Sequence, residues 1–427
     1  MRVLFTTYPE KTHFLAMAPL AWALRTAGHE VCFASQPKFT EVITQAGLTA
    51  IPVGSDRGLW QLLGRDLNWL RAGPGGLPVP YDTAEWHSRE VTWNYLADGY
   101  DLQVAKWHRM SNVPMIPDLV DFARHWRPDL VIWEPTTYAG AIAAEACGAA
   151  HARLLFSIDS FGVTRDHFLR LLSGRCHGER ADPLGDWLAK YAAEYGFGYS
   201  ETLVRGQFTI SLLPPSLRLD AALRYLPLRY VPYGGPAVVP DWLRDPPVRP
   251  RVALTLGLSF GDWVGFADPV RSVVDELCCE DIELVLTLGG SAKDELEKLP
   301  GNVRVVPYVP LHALVPTCSA VIHHAGFGTL ATTALSGVPQ LTVPLDGDGP
   351  ALARRVAACG AGLAVHYLQT TGAVLRDCLA RLLNEPGFAE GAIRLGEEMR
   401  AMPSPNELVP DLEELAAGPR PLARKER

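Results

Sequence analysis

The sequence contains no CxxC pair; of its eight cysteines only Cys278 and Cys279 are adjacent. Structural zinc sites and disulfide frameworks are built from closely spaced pairs, so neither is expected and no metal-ligand set stands out. The scattered thiols read as buried side chains in a reducing compartment. No apolar run reaches the ~20 residues that cross a bilayer. The N-terminus enters an apolar strand, Val3-Leu4-Phe5, without the basic region and long apolar core of a secretory leader. The expectation is a cytoplasmic protein with no membrane partner. Like charges form no block beyond the short basic tail Arg424–Arg427, and the formal net charge is −8. A nucleic-acid partner, which needs a basic surface, is disfavoured.

What is present is a globular composition, 48% hydrophobic and 20% charged over 427 residues. That length exceeds one ordinary core and implies two domains. Strand-like and helix-like segments alternate, as in parallel sheets with crossover helices. Strands are predicted at Arg2–Thr6, Glu30–Ala34, Leu130–Trp133, Arg251–Leu256, Glu283–Leu288, Val303–Val306, Ala320–Ile322 and Gln340–Val343. Helices are predicted at Phe14–Ala27, Lys38–Ala46, Thr137–Cys147, Pro269–Leu277 and Pro350–Cys359, most of them stopped by a glycine.

Two stretches break the rhythm. Trp60–Pro117 has no clean period and holds five of the eleven tryptophans. It either caps an apolar pocket, docks a protein partner or forms a satellite core. Pro214–Pro250 is proline-rich, which helices and central strands tolerate poorly. The domain reading is an N-terminal unit, 1–220, with the Trp-rich insertion 60–117; a proline-rich linker, 221–250; a C-terminal unit, 251–395; and a closing helix and tail, 396–427.

The most informative stretch is Val321–Gln340, VIHHAGFGTLATTALSGVPQ. A β-type run ends in two histidines, then a glycine turn, then a helix-forming segment. Glycines allow backbone N–H groups to approach an oxyanion closely. The helix start adds unpaired N–H groups and the positive end of the macrodipole. The sum is an anion cradle suited to a pyrophosphate, with His324 at its lip. Gly326-x-Gly328-x-x-Ala331 also fits a dinucleotide fingerprint, and Asp346 lies twenty positions on, where a ribose-binding acid is wanted. An NAD(P)-dependent oxidoreductase is therefore the rival reading. Against it stand the extra donors of the histidine pair and the proline-marked turn Val306–Pro310 upstream.

Together, VPYVPLHALVPTCSAVIHHAGFGT and VLFTTYPEKTHFLAMAPLAWALRTAGHEV resemble the family-1 glycosyltransferases of GT-B fold. The bacterial enzymes that attach deoxysugars to polyketide antibiotics are most similar. The resemblance runs from the first strand to about Leu415. It implies an α/β protein of two Rossmann-like domains facing across a cleft, the N-terminal one binding a hydrophobic aglycone and the C-terminal one a TDP-sugar. It further implies an inverting reaction that needs no metal and no permanent cofactor. His13, at the start of the first helix, matches the general base. Neutral imidazole titrates in the range that removing a proton from an attacking hydroxyl requires. Thr12 stands where relatives often carry glycine or serine.

His324, Gly326, Gly328 and Thr329 match the donor-phosphate motif, and His323 is expected behind it. Ser259 resembles a further phosphate contact. Tyr308 falls where a base-stacking aromatic stands, and Val309 where the backbone reads the base edge. Candidate carboxylates to orient His13 are Asp98 and Asp101, both expected to be solvated surface acids, and Asp348, which matches an acid touching the sugar. The segment LDGDGPALARR departs from the pattern, with Gly347 for a bulky aromatic and Leu352 for a polar residue. A less polar sugar cradle suits a deoxygenated sugar, and it also keeps open a non-catalytic helper of the same fold. The Trp-rich insertion resembles a clade that works with a cytochrome-like helper protein. That partner and a homodimer remain options, and the aglycone and sugar are undefined.

Overall fold

The computed structural model describes residues 1–56, 76–176, 181–255, 267–277, 281–287, 299–345 and 347–418. Its strands form two separate sheets in which every pair is parallel. The first contains β1 (Arg2–Thr6), β2 (Glu30–Ser35), β3 (Thr49–Pro52), β4 (Leu130–Trp133), β5 (Ala150–Leu154), β6 (Phe208–Ser211) and β7 (Tyr225–Pro227), in the order β3-β2-β1-β4-β5-β6-β7. The second contains β8 (Arg251–Thr255), β9 (Glu283–Thr287), β10 (Val303–Val306), β11 (Ala320–His323), β12 (Gln340–Thr342) and β13 (Gly362–Ala364), in the order β10-β9-β8-β11-β12-β13. Both orders are the doubly wound Rossmann pattern, reversing once beside the first strand of each sheet.

The central strands are continuous apolar runs because helices cover both faces of a parallel sheet. Val3, Leu4 and Phe5 of β1 and all of β4 are fully buried. Sequence periodicity located these long runs well. It missed β3, β5, β6, β7 and β13, whose composition is mixed. Ala150–Leu154 carries His151 and Arg153, and the edge strand Tyr225–Pro227 carries a proline that only an edge tolerates.

The chain divides into two units. One comprises Met1–Leu212, Arg218–Leu228 and Pro403–Arg427; the other comprises Leu213–Leu217 and Arg229–Met402. Residues 229–250, read from their prolines as linker, thus belong to the second unit. The final helix, Pro405–Ala417, belongs to the first, where His29 Nε2 lies 2.9 Å from Glu413 Oε1. A capping box between Ser404 and Glu407 starts this helix, and it buries Leu408, Val409 and Leu412.

Trp86, Trp93 and Trp107 of the Trp-rich stretch pack on the main core of the first unit. For the described part, 76–117, the tryptophans therefore extend that core; Trp60 and Trp69 lie outside the described residues. Among the described residues, no helix is long and apolar enough to cross a membrane.

Candidate active site

In open parallel sheets, ligands bind beyond the carboxyl ends of the strands, where the strand order reverses. In the first unit that point lies between β1 and β4. The chain leaves β1 at Thr7 and enters the helix Lys11–Thr26, whose N-cap Glu10 accepts a hydrogen bond from Thr12 N. The helix begins three residues earlier than periodicity indicated, because this cap and not the first apolar residue sets its start. His13 therefore sits in its first turn, buried.

The His13 ring stacks on Phe156 at a centroid distance of 3.5 Å and meets Tyr8 edge-on at 5.4 Å. Its Nδ1 faces Glu134 Oε2 at 3.4 Å. This is an ion-pair approach longer than a well-formed hydrogen bond. Glu134 follows β4 directly and is fully buried. Burial alone would raise its carboxyl. The nearby His13 imidazole, with bonds from Thr137 and the Thr136 amide, outweighs burial and holds it below the ordinary glutamate value. Thr136 donates through its amide at 2.9 Å and its hydroxyl at 2.7 Å, and the Thr137 hydroxyl donates too. A buried, ionised carboxylate thus faces the imidazole.

Glu134 was not among the residues singled out from sequence. The available signal was an acid placed immediately after a wholly apolar strand, LVIWE, at the binding edge of the sheet. Asp98 and Asp101, which were considered, are both exposed.

In the second unit the corresponding edge carries the histidine–glycine turn. His323 ends β11 fully covered, and burial pushes its imidazole down to about 3. Its Nδ1 accepts from the Ala325 amide at 3.1 Å, which leaves Nε2 to donate to Gln340 Oε1 at 2.8 Å. That bond holds Ala325 in a left-handed conformation, φ 66°, uncommon for a residue with a Cβ. The turn delivers Gly326 to the N-cap of the nine-residue helix Phe327–Leu335. His324 folds over the cap. A Cβ on Gly326 would overlap His324 Nε2, so the glycine makes room for the ring. Burial pushes the His324 imidazole down to about 4, so it is neutral at physiological pH and offers an uncharged N–H.

Gly328 is exposed at the helix start, and Thr329 behind it is buried. The first-turn amides have no intrahelical acceptors, and the dipole adds positive potential there. The turn can therefore hold an anion.

Two further elements join this turn. Tyr230, from the segment read as linker, packs edge-on against Phe327 at 5.2 Å, and its hydroxyl donates to Gly328 O at 3.5 Å. Burial raises that hydroxyl to about 12. Asp348 stands at the N-cap of the helix Gly349–Ala358. A Cβ on the next residue, Gly349, would lie 3.3 Å from His324 O, so this loop packs directly against the phosphate-type turn. Gly347 adopts φ 62°, which a bulky aromatic would resist. Leu352 is fully buried. It packs into the core from the helix Gly349–Ala358.

Tyr308 is 41% exposed, its hydroxyl donating to Gly234 O at 3.2 Å; Val309 beside it is buried. Ser259 and Asp346 lie outside the described residues. His13 thus belongs to one unit, and Tyr308, Val309, His324, Gly326, Gly328, Thr329 and Asp348 to the other.

Two doubly wound units, one carrying a histidine faced by a buried carboxylate and the other a glycine turn under a histidine, define a glycosyltransferase of GT-B fold. The chain matches the family described as Erythromycin biosynthesis protein CIII-like, its N-terminal domain over residues 22–257 and its C-terminal domain over residues 271–415. It is 45% identical to 10-deoxymethynolide desosaminyltransferase of Streptomyces venezuelae over 424 residues, 98% of this chain and 97% of that one. It is 43% identical to aclacinomycin-T 2-deoxy-L-fucose transferase of Streptomyces galilaeus over 429 residues, 98% and 96% of the two chains. The crystal structure of the glycosyltransferase VinC in complex with dTDP is similar with a TM-score of 0.86 and 42% identity, covering 97% of this chain and 99% of that one.

The chain belongs to this family and is a nucleotide-sugar-dependent glycosyltransferase of the antibiotic deoxysugar type. The oxidoreductase reading of Gly326-x-Gly328 falls with that assignment, as does the non-catalytic one.

Proposed function

We propose that the enzyme moves a deoxysugar from a TDP-sugar to a hydroxyl of a hydrophobic, polyketide-type aglycone with inversion at the anomeric carbon. His13 is the general base: it takes the hydroxyl proton as oxygen attacks, and Glu134 stabilises the imidazolium that forms. The turn His324–Thr329 holds the pyrophosphate. The neutral His324 N–H and the helix-start amides stabilise the charge that grows on the leaving diphosphate. Tyr308 stacks on the thymine, the Val309 backbone reads its edge, Ser259 is a further phosphate contact and Asp348 touches the sugar. Reaction through these groups needs no metal.

The observation that carries this reading is the 3.4 Å approach of His13 Nδ1 to a buried, ionised Glu134. It is supported by relatives named for transfer of deoxysugars and by a similar structure solved with dTDP. The test is a panel of TDP-deoxysugars and polyketide aglycones with wild type and His13→Ala. Product with wild type, and loss of turnover with retained TDP binding in His13→Ala, is the expected result. Near-normal turnover without His13 removes it from the mechanism.

A further inference from the structure

We propose that the segment Tyr230–Gly234 is a positioning strap for the donor nucleotide, with the Gly234 carbonyl setting the tilt of the Tyr308 ring. The proposal rests on the reading of Tyr308 and the Gly326–Thr329 turn as the TDP site. Five residues of chain touch both ends of that site. At one end Tyr230 is buried, edge-on to Phe327, with its hydroxyl toward Gly328 O. At the other end Gly234 O accepts the Tyr308 hydroxyl at 3.2 Å. Pro232 lies between the two and restricts the backbone.

The Tyr308 ring needs such a tether. It is 41% exposed, so core packing does not fix its rotamer. An aromatic that stacks on a pyrimidine contributes only when its plane is already aligned, because ordering it on binding costs side-chain entropy. Residue 234 is also sterically matched to this bond. A Cβ on Gly234 would lie 2.9 Å from Tyr308 Oη, inside contact distance, whereas the next ring atom, Cζ, lies 4.0 Å away, an ordinary contact. A side chain at 234 therefore displaces a tyrosine at 308 and leaves a phenylalanine undisturbed.

The test is titration calorimetry of TDP on the full chain with Tyr308→Ala, Tyr308→Phe, Gly234→Ala and the Gly234→Ala/Tyr308→Phe double variant, plus kcat and KM for the donor. Tyr308→Ala examines the donor-site reading: affinity falls about tenfold as stacking is lost, and an unchanged affinity defeats that reading and the strap with it. Tyr308→Phe keeps the ring and loses one hydrogen bond, an expected loss of about fivefold. Gly234→Ala loses at least as much, with donor KM raised and kcat unchanged at saturation. The double variant is expected to bind no worse than Tyr308→Phe, a non-additivity that general destabilisation does not produce. If Tyr308→Phe binds like wild type, or the two losses simply add, the strap is overturned while the donor site stands.

Discussion

Glu134 and His13 meet at 3.4 Å across the carboxyl edge of the first sheet, the acid at the end of β4 and the imidazole in the turn of helix after β1. The acid is wholly buried and ionised, and its remaining lone pairs are taken up by Thr136 and Thr137. Replacing Glu134 by Gln keeps the volume and removes the charge that stabilises an imidazolium. We predict a fall in kcat of at least about tenfold with little change in TDP affinity. The exposed acids serve as controls: Asp98→Asn and Asp101→Asn keep wild-type kcat. A Glu134→Gln enzyme with wild-type kcat would detach the carboxylate from catalysis.

The missing side chain of Gly326 makes a second prediction. With Ala at 326 the His324 ring must leave its place over the helix cap. Charge-assisted hydrogen bonds to a phosphate of the usual strength are then lost, and TDP affinity should drop about 10- to 100-fold. Circular dichroism should remain that of the wild type, because only the capping turn moves. Isothermal titration with TDP measures the loss; an unaltered affinity would show that the cap does not hold the diphosphate.

Three buried imidazoles link stability to pH. Burial lowers His108 to about 3, His323 to about 3 and His324 to about 4. In the unfolded chain each takes up a proton near pH 6.5, the ordinary histidine value. Between that value and its folded-state value, each binds more protons unfolded than folded. Stability therefore decreases as pH falls through this window, each group adding a slope of up to about 1.4 kcal/mol per pH unit. Above pH 6.5 these groups contribute no slope. Urea unfolding from pH 7.5 to 4.5 checks the sign, and His324→Asn should flatten the acid limb. A stability that is level or rises toward pH 5 would contradict the buried neutral state.

The last helix offers a stability prediction. Leu408 and Leu412 are fully buried in the first unit. Leu408→Ala should cost about 2–5 kcal/mol, the range for a large-to-small core change. Hydrogen exchange should show the loss in the first unit, with amides around the helix Lys11–Thr26 among those affected. Loss confined to the helix Pro405–Ala417 would mean that it is not an integral part of that core.

Much of this was legible from residues alone. Long apolar strands and glycine-stopped helices announced the two Rossmann-like units, and the order strand, histidines, glycines, helix announced the turn at 326. What escaped depends on contacts distant in sequence. Glu134 meets His13 only because β4 lies beside β1, 121 positions apart in the chain. Tyr230 was hidden by its prolines, which mark irregular backbone and say nothing of what that backbone packs on. Leu352 reads as a departure in a loop, and that it lies buried on the helix Gly349–Ala358 depends on packing that the sequence does not display. The final helix, Pro405–Ala417, fell inside the stretch read as a closing helix and tail, 396–427, and a sequence does not say against which partner such a helix packs.

That final helix has a consequence for how the protein comes into being and for how it can be re-engineered. Because residues 403–418 pack with the first unit, that unit cannot finish assembling until they have been synthesised. A fragment truncated at Leu228 would present bare hydrophobic surface where Leu408, Val409 and Leu412 should dock. Chimeras that graft the first unit of one such enzyme onto the second unit of another should take residues 1–212 and 403–418 from the same parent.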